Sequence, residues 1–145
     1  MRINENIVEL KIFDFEVEHN EITDLLSLEP TCIWTKGEEY VFGDKTKEVW
    51  KIREKNYWEY RKVNISNDWI GNDVAAFIEE IIIPRKDVIR KLAEQLHIEF
   101  SVVQYMYDGC NPGLYFDKNA VKVLSECGLE LNIDLYVLYQ EDRQD

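Results

Sequence analysis

Proline and glycine are scarce in this 145-residue chain, at three and six residues, which argues against linkers, low-complexity tracts and collagen-like repeats. Cysteine is also sparse. Cys32, Cys110 and Cys127 are odd in number and widely spaced, without a CxxC pair, so they read as reduced thiols of a cytoplasmic protein rather than a disulfide framework. The two histidines, His19 and His97, show no Cys, His, Asp or Glu at a spacing read as metal-ligating, and no metal site is expected. Apolar runs fall far short of the roughly 20 residues a membrane helix needs, so no membrane association is expected. Met1–Asn6 lacks the basic start and apolar run of a secretory leader. Neither GxxxxGK[ST] nor GxGxxG occurs, which removes the common phosphate cradles, and no cofactor is expected.

Basic residues are outnumbered as well, 17 against 29 acidic ones, for a net charge of −12. Nucleic-acid binding depends on counterion release by clustered Lys and Arg, so this balance argues against a nucleic-acid partner. Only residues 45–62 run the other way, with seven basic side chains against three acidic. The overall negative field suits a basic protein partner instead.

Apolar pattern is what the chain has in quantity, with 46% hydrophobic residues. Ile98, Phe100, Val102 and Met106 alternate with Glu99, Ser101, Tyr105 and Tyr107, and Leu129–Val137 alternates with Glu130–Leu138. Period two marks strands with one buried face. Between them Asp117–Cys127 carries Ala120, Val121, Val123, Leu124 and Cys127 at helical spacing, stopped by Gly128. Ile7–Phe15 reads as a first strand with both faces partly apolar, which suits a central position. A short helix capped by Asn20 and ended by Pro30 follows, then an extended stretch around Trp34. Glu48–Arg53 and Tyr57–Ile65 read as strands joined by a turn at Glu54–Asn56. Ser66–Asp68 caps a helix over Trp69–Ile82, which Pro84 ends or kinks, and Asp87–Leu96 forms another. The fold class is therefore α+β: one domain over residues 1–145, a mostly antiparallel sheet with helices packed on one face.

The segment Leu25-Leu26-Ser27-Leu28-Glu29-Pro30-Thr31, then Lys36-Gly37-Glu38, a later strand tryptophan (Trp58 or Trp50), a helix at Asp73–Ile82 and the ending Gly128-Leu129…Leu131…Asp134…Tyr136 together resemble the bacterial family known as domain of unknown function 4279. The basic segment between the two tryptophans looks like an insertion. The resemblance implies a compact bacterial α+β domain and transfers no catalytic residue.

Two stretches carry candidate chemistry. Cys110, in the turn-rich loop Asp108–Gly113, is the best placed nucleophile for a small hydrolase or transferase, although nothing local marks a histidine as its base. On the polar side of the last strands, Tyr105, Tyr107, Asp134 and Tyr136 form an aromatic and acidic surface, a combination suited to protein binding. The favoured expectation is a non-enzymatic, immunity- or antitoxin-like domain whose acidic surface meets a basic toxin or effector. The competing expectations are the Cys110 enzyme and a homo-oligomeric module built through a hairpin at Lys45–Lys62, so the chain is expected to be a monomer or a homodimer.

Overall fold

The first strand, β1 (Glu5–Phe13), lies at the centre of the molecule because it can bury side chains on both faces. In the computed structural model, which describes residues 3–43, 46–67 and 70–139, β1 pairs antiparallel with β5 (Tyr57–Ile65) on one side and β6 (His97–Tyr107) on the other. A short β2 (Cys32–Trp34) adds antiparallel to β5, and β7 (Glu130–Leu138) adds parallel to β6. The five-stranded order is β2-β5-β1-β6-β7. The expected mostly antiparallel sheet is present, and its one parallel pair follows from the helical crossover between β6 and β7.

Helices cover one face. From β1, β5 and β6 this face receives Val8, Leu10, Ile12, Trp58, Ile98, Phe100 and Val102, all at most 2% exposed. Phe77 meets Phe100 edge-on at 5.7 Å. α1 (His19–Leu26) contributes Ile22 and Leu26. Its cap is Glu18 rather than Asn20, and it ends at Ser27 in a left-handed turn before Pro30 is reached. α2 (Gly71–Phe77) runs through a π-helical segment (Ile78–Ile82) and a 3₁₀ turn (Ile83–Arg85) into α3 (Lys86–Ala93). Pro84 thus sits within an unbroken run of helical elements, in the 3₁₀ turn, rather than ending it. Of the expected cap, Asp68 lies outside the described residues, and the side-chain oxygen of Asn67 accepts from the Asn4 backbone N–H. Arg85 donates to the carbonyl oxygens of Leu26, Ser27 and Ile81, satisfying the open ends of two helical segments at once. α4 (Lys118–Glu126) is capped by Asp117, whose carboxylate accepts from the Ala120 N–H at 2.8 Å, and Gly128 follows it at φ +70°.

Two expectations fail here. Glu48–Arg53 and Tyr57–Ile65 do not form a hairpin: β4 (Val49–Ile52) pairs with β3 (Glu39–Phe42) as a separate two-stranded sheet, while β5 joins the main one. The supposed turn residue Asn56 instead ties three segments, accepting from the Lys36 N–H and donating to the Phe15 carbonyl. The second failure concerns β7. Register puts Leu131, Ile133, Leu135 and Val137 opposite Phe100, Val102, Gln104 and Met106, on the helix side as the alternation implied. Yet they are 46%, 38%, 51% and 54% exposed. β7 is an edge strand, and the helices pack over β1 and β6 and against one another, short of this rim.

Candidate functional site

The opposite, helix-free face of the sheet gathers the charged and aromatic side chains. At its centre stand Glu9 on β1 and Glu59 on β5, only 2% and 3% exposed. Burying two carboxylates is costly unless cations and hydrogen bonds compensate. Here Arg61 donates from Nε to Glu59 at 3.0 Å and from Nη2 to both Glu59 and Glu9 at 3.2 Å. The Tyr57 hydroxyl donates to Glu59 at 2.6 Å, and the Lys11 ammonium lies 3.8 Å from Glu9. On the neighbouring strand the hydroxyl of Ser101, the register partner of Glu9, is buried with no hydrogen bond among the described residues.

The two acids titrate apart. Burial, then a hydrogen bond to Glu59 and its charge, push Glu9 up to about 7 against the pull of Lys11 and Arg61. Burial would raise Glu59 too, but hydrogen bonds from Glu9, Arg61 and Tyr57 outweigh it and hold that carboxyl below its usual range. Below about pH 7 Glu9 therefore holds a proton that Glu59 is placed to accept. Linkage gives opposite signs. The contribution of Glu59 is present above the usual carboxylate range and fades as pH falls. That of Glu9 is full below its unfolded value and is lost as pH rises from about 4.5 to about 7. Glu9→Gln, which keeps a donor toward Glu59 without ionising, is expected to match the wild type near pH 5 and exceed it by about 2 kcal/mol at pH 8. Urea denaturation at the two pH values measures that gap; a constant gap would show that the pair shares no proton.

A depression of about 460 Å³ flanks this cluster, lined by Lys11, Thr31, Cys32, Trp34, Tyr57, Glu59 and Arg61. Burial first, then the Glu59 charge, raise the Cys32 thiol, which keeps it protonated and a poor nucleophile. Toward the other edge, Tyr105 and Tyr136 stack at 4.9 Å, and Asn132 donates to Asp134 beside them. So Tyr105, Asp134 and Tyr136 share one face as the sequence suggested. Tyr107 lies on that face but is only 8% exposed, so it supports the surface from beneath.

The Cys110 expectation meets a spatial obstacle. Cys110 follows the C-terminal end of β6, where Asn4 donates to its carbonyl and accepts from the Tyr107 N–H. Both histidines sit at the opposite end: His97 begins β6, and His19 contacts Phe15 and lies 2.8 Å from the Trp34 carbonyl. Neither can serve Cys110 as a base.

Further groupings escaped sequence reasoning. His97, Glu99 and Glu130 converge at the start of β6 and β7, although no ligand spacing had been read around His97. The signal was the His97-x-Glu99 spacing, which in a strand puts both side chains on one face. The Glu59-x-Arg61 pair and the lone Glu9 inside an apolar strand were legible in the same way. At the β2 end, Arg53 lies between the rings of Trp34 and Tyr40 at 3.9 and 3.7 Å, part of an open trough of about 1010 Å³ that includes Lys36, Trp50 and Lys55. Of the two tryptophans weighed for the family resemblance, Trp58 is fully buried and donates to Thr23, whereas Trp50 is 66% exposed.

Among the described residues no helix is long and apolar enough to cross a membrane. Compared with known sequences, residues 3–138 match the family model described as Domain of unknown function (DUF4279). No curated protein and no solved structure matches.

Proposed function

As the chain belongs to the DUF4279 family, whose description names no activity, we propose its role from its own surface: a non-enzymatic, immunity- or antitoxin-like protein-binding domain. It takes an extended, basic segment of a toxin or effector as an added strand on β7. The observation that carries this reading is the edge of β7, nine residues long, which among the described residues has no strand partner on its outer side and whose apolar side chains are left uncovered on one face. An edge strand offers a row of unpaired N–H and C=O groups, and a partner strand satisfies them while covering the apolar row.

The chemistry of the two faces specifies the partner. On the helix side, Leu131, Ile133, Leu135 and Val137 call for apolar residues at every second position. On the other side Glu130, Asp134 and the exposed ring of Tyr136 call for Lys or Arg. The same acids work against self-pairing, because antiparallel β7 strands centred on Asp134 would bring two carboxylates together.

A capped nonapeptide alternating Lys and Val is a defined probe, titrated calorimetrically into the full chain. Binding is expected to weaken about tenfold or more in Asp134→Lys, a change of about 1.4 kcal/mol. Affinity is also expected to fall as salt rises from about 0.05 to about 0.5 M. Equal affinity for wild type and variant at every salt concentration, or no binding to the wild type, would overturn the proposal.

A further inference from the structure

We propose that His97, Glu99 and Glu130 form a binding site for a divalent transition-metal ion, with zinc as the representative. The site shares Glu130 with the docking face but does not depend on that reading.

Its geometry follows from the strand pairing. β6 and β7 run parallel, so their N-terminal ends lie side by side, and Glu99 and Glu130 are direct register partners. His97 precedes Glu99 by two residues on β6 and shares its face. The His97 Nε2 lies 3.0 Å from Glu130 Oε2 and 3.8 Å from Glu99 Oε1. All three ligand atoms fall within 4.8 Å of one another. An ion held tetrahedrally at about 2.0–2.1 Å from each ligand separates its ligands by about 3.3 Å. The two His97 distances bracket that value, and the two carboxylates, no more than 4.8 Å apart, would draw together around an ion.

A second observation is electrostatic. Like charges placed directly opposite on paired strands are unfavourable, and Glu99 and Glu130 are placed so. Among the described residues, no lysine or arginine forms an ion pair with either of them; His97 is the partner of both. A dication between them balances two carboxylates and keeps the imidazole as a neutral ligand. The His97 ring is also positioned independently of the acids, packing edge-on against Phe13 at 5.3 Å and 79°. Its half-exposed side chain and the 68% exposed Glu130 leave a fourth coordination position open to water.

One imidazole and two carboxylates, with no thiolate, select borderline first-row ions over magnesium or calcium, which favour all-oxygen shells. Titration of the full chain with zinc chloride is expected to show one equivalent bound and a rise in Tm, with magnesium chloride giving neither. His97→Ala and Glu130→Gln, both at exposed positions, are each expected to weaken zinc about tenfold or more, since even an outer-shell partner is worth about 10–100-fold. A Cys32→Ser/Cys110→Ser double variant is expected to bind as the wild type does. Histidine ring NMR is expected to show zinc shifting His97 and not His19. Absence of zinc binding in the wild type, or binding that survives His97→Ala but is lost in the cysteine variant, would overturn the assignment.

Discussion

Glu59→Ala is expected to destabilise the protein by about 3–5 kcal/mol at pH 7, because it removes the acceptor that compensates several buried groups at once. Glu59 takes hydrogen bonds from the Tyr57 hydroxyl and from two nitrogens of Arg61. Without it the buried phenol of Tyr57 loses its partner, and the guanidinium keeps only Glu9. The effect is not that of a surface ion pair, which is worth about 0–1 kcal/mol, since both carboxylates are almost wholly inaccessible. Glu59→Gln retains an acceptor oxygen and is expected to fall between alanine and wild type. Glu9 offers a second readout: losing its acidic neighbour returns its titration toward the ordinary carboxylate range. Guanidinium denaturation gives the first quantity and carboxyl NMR titration the second. A loss below about 1 kcal/mol would show that the cluster is solvated like any surface pair.

Trp58→Ala is expected to cost a similar amount, about 3–5 kcal/mol, by a different route. The indole is fully buried on the helix side, in a strand paired to both β1 and β2, and its N–H donates to the Thr23 hydroxyl of α1. Truncation leaves a cavity between sheet and helix and strips the Thr23 hydroxyl of its donor. At about 3 °C per kcal/mol for a domain near this size, the melting temperature is expected to fall by about 9–15 °C. Unlike the Glu59 variants, this loss should be nearly constant between pH 5 and pH 8 (a range chosen around the Glu9 titration near 7). Trp58→Phe should recover most of the packing while leaving Thr23 without its donor. A pH-dependent loss, or one no larger than that of an exposed residue, would contradict the packing described for β5.

How legible these features were depended on whether the cause was local. α4 was readable because its cap, apolar stripe and glycine stop all lie within Asp117–Gly128. The central place of β1 was readable because both of its faces are partly apolar. β7 shows where that logic stops. Alternation tells which side chains share a face, and Leu131, Ile133 and Leu135 do share the helix-side face with Phe100 and Val102. It does not tell whether another element covers the face, because coverage depends on strand order and on where distant helices settle. The same non-locality hid the pairing of β4 with β3 and the meeting of Glu9 with Glu59, 50 residues apart in the chain. That Tyr105 and Tyr136 share a face was accessible from the alternation of the two strands, but their direct stacking was not, because a register shift of two residues preserves the alternation. The burial of Tyr107 on the same face was not, since it depends on how neighbouring chain packs around it.

The uncovered rim of β7 is where a partner strand has both hydrogen bonds and apolar surface to gain, and backbone hydrogen exchange reads it directly. With the alternating Lys/Val peptide at saturation, amides across Glu130–Leu138 are expected to exchange at least about tenfold more slowly while those of the already paired β1 stay as they were. Unchanged exchange along β7, with peptide bound, would put the contact elsewhere on the protein.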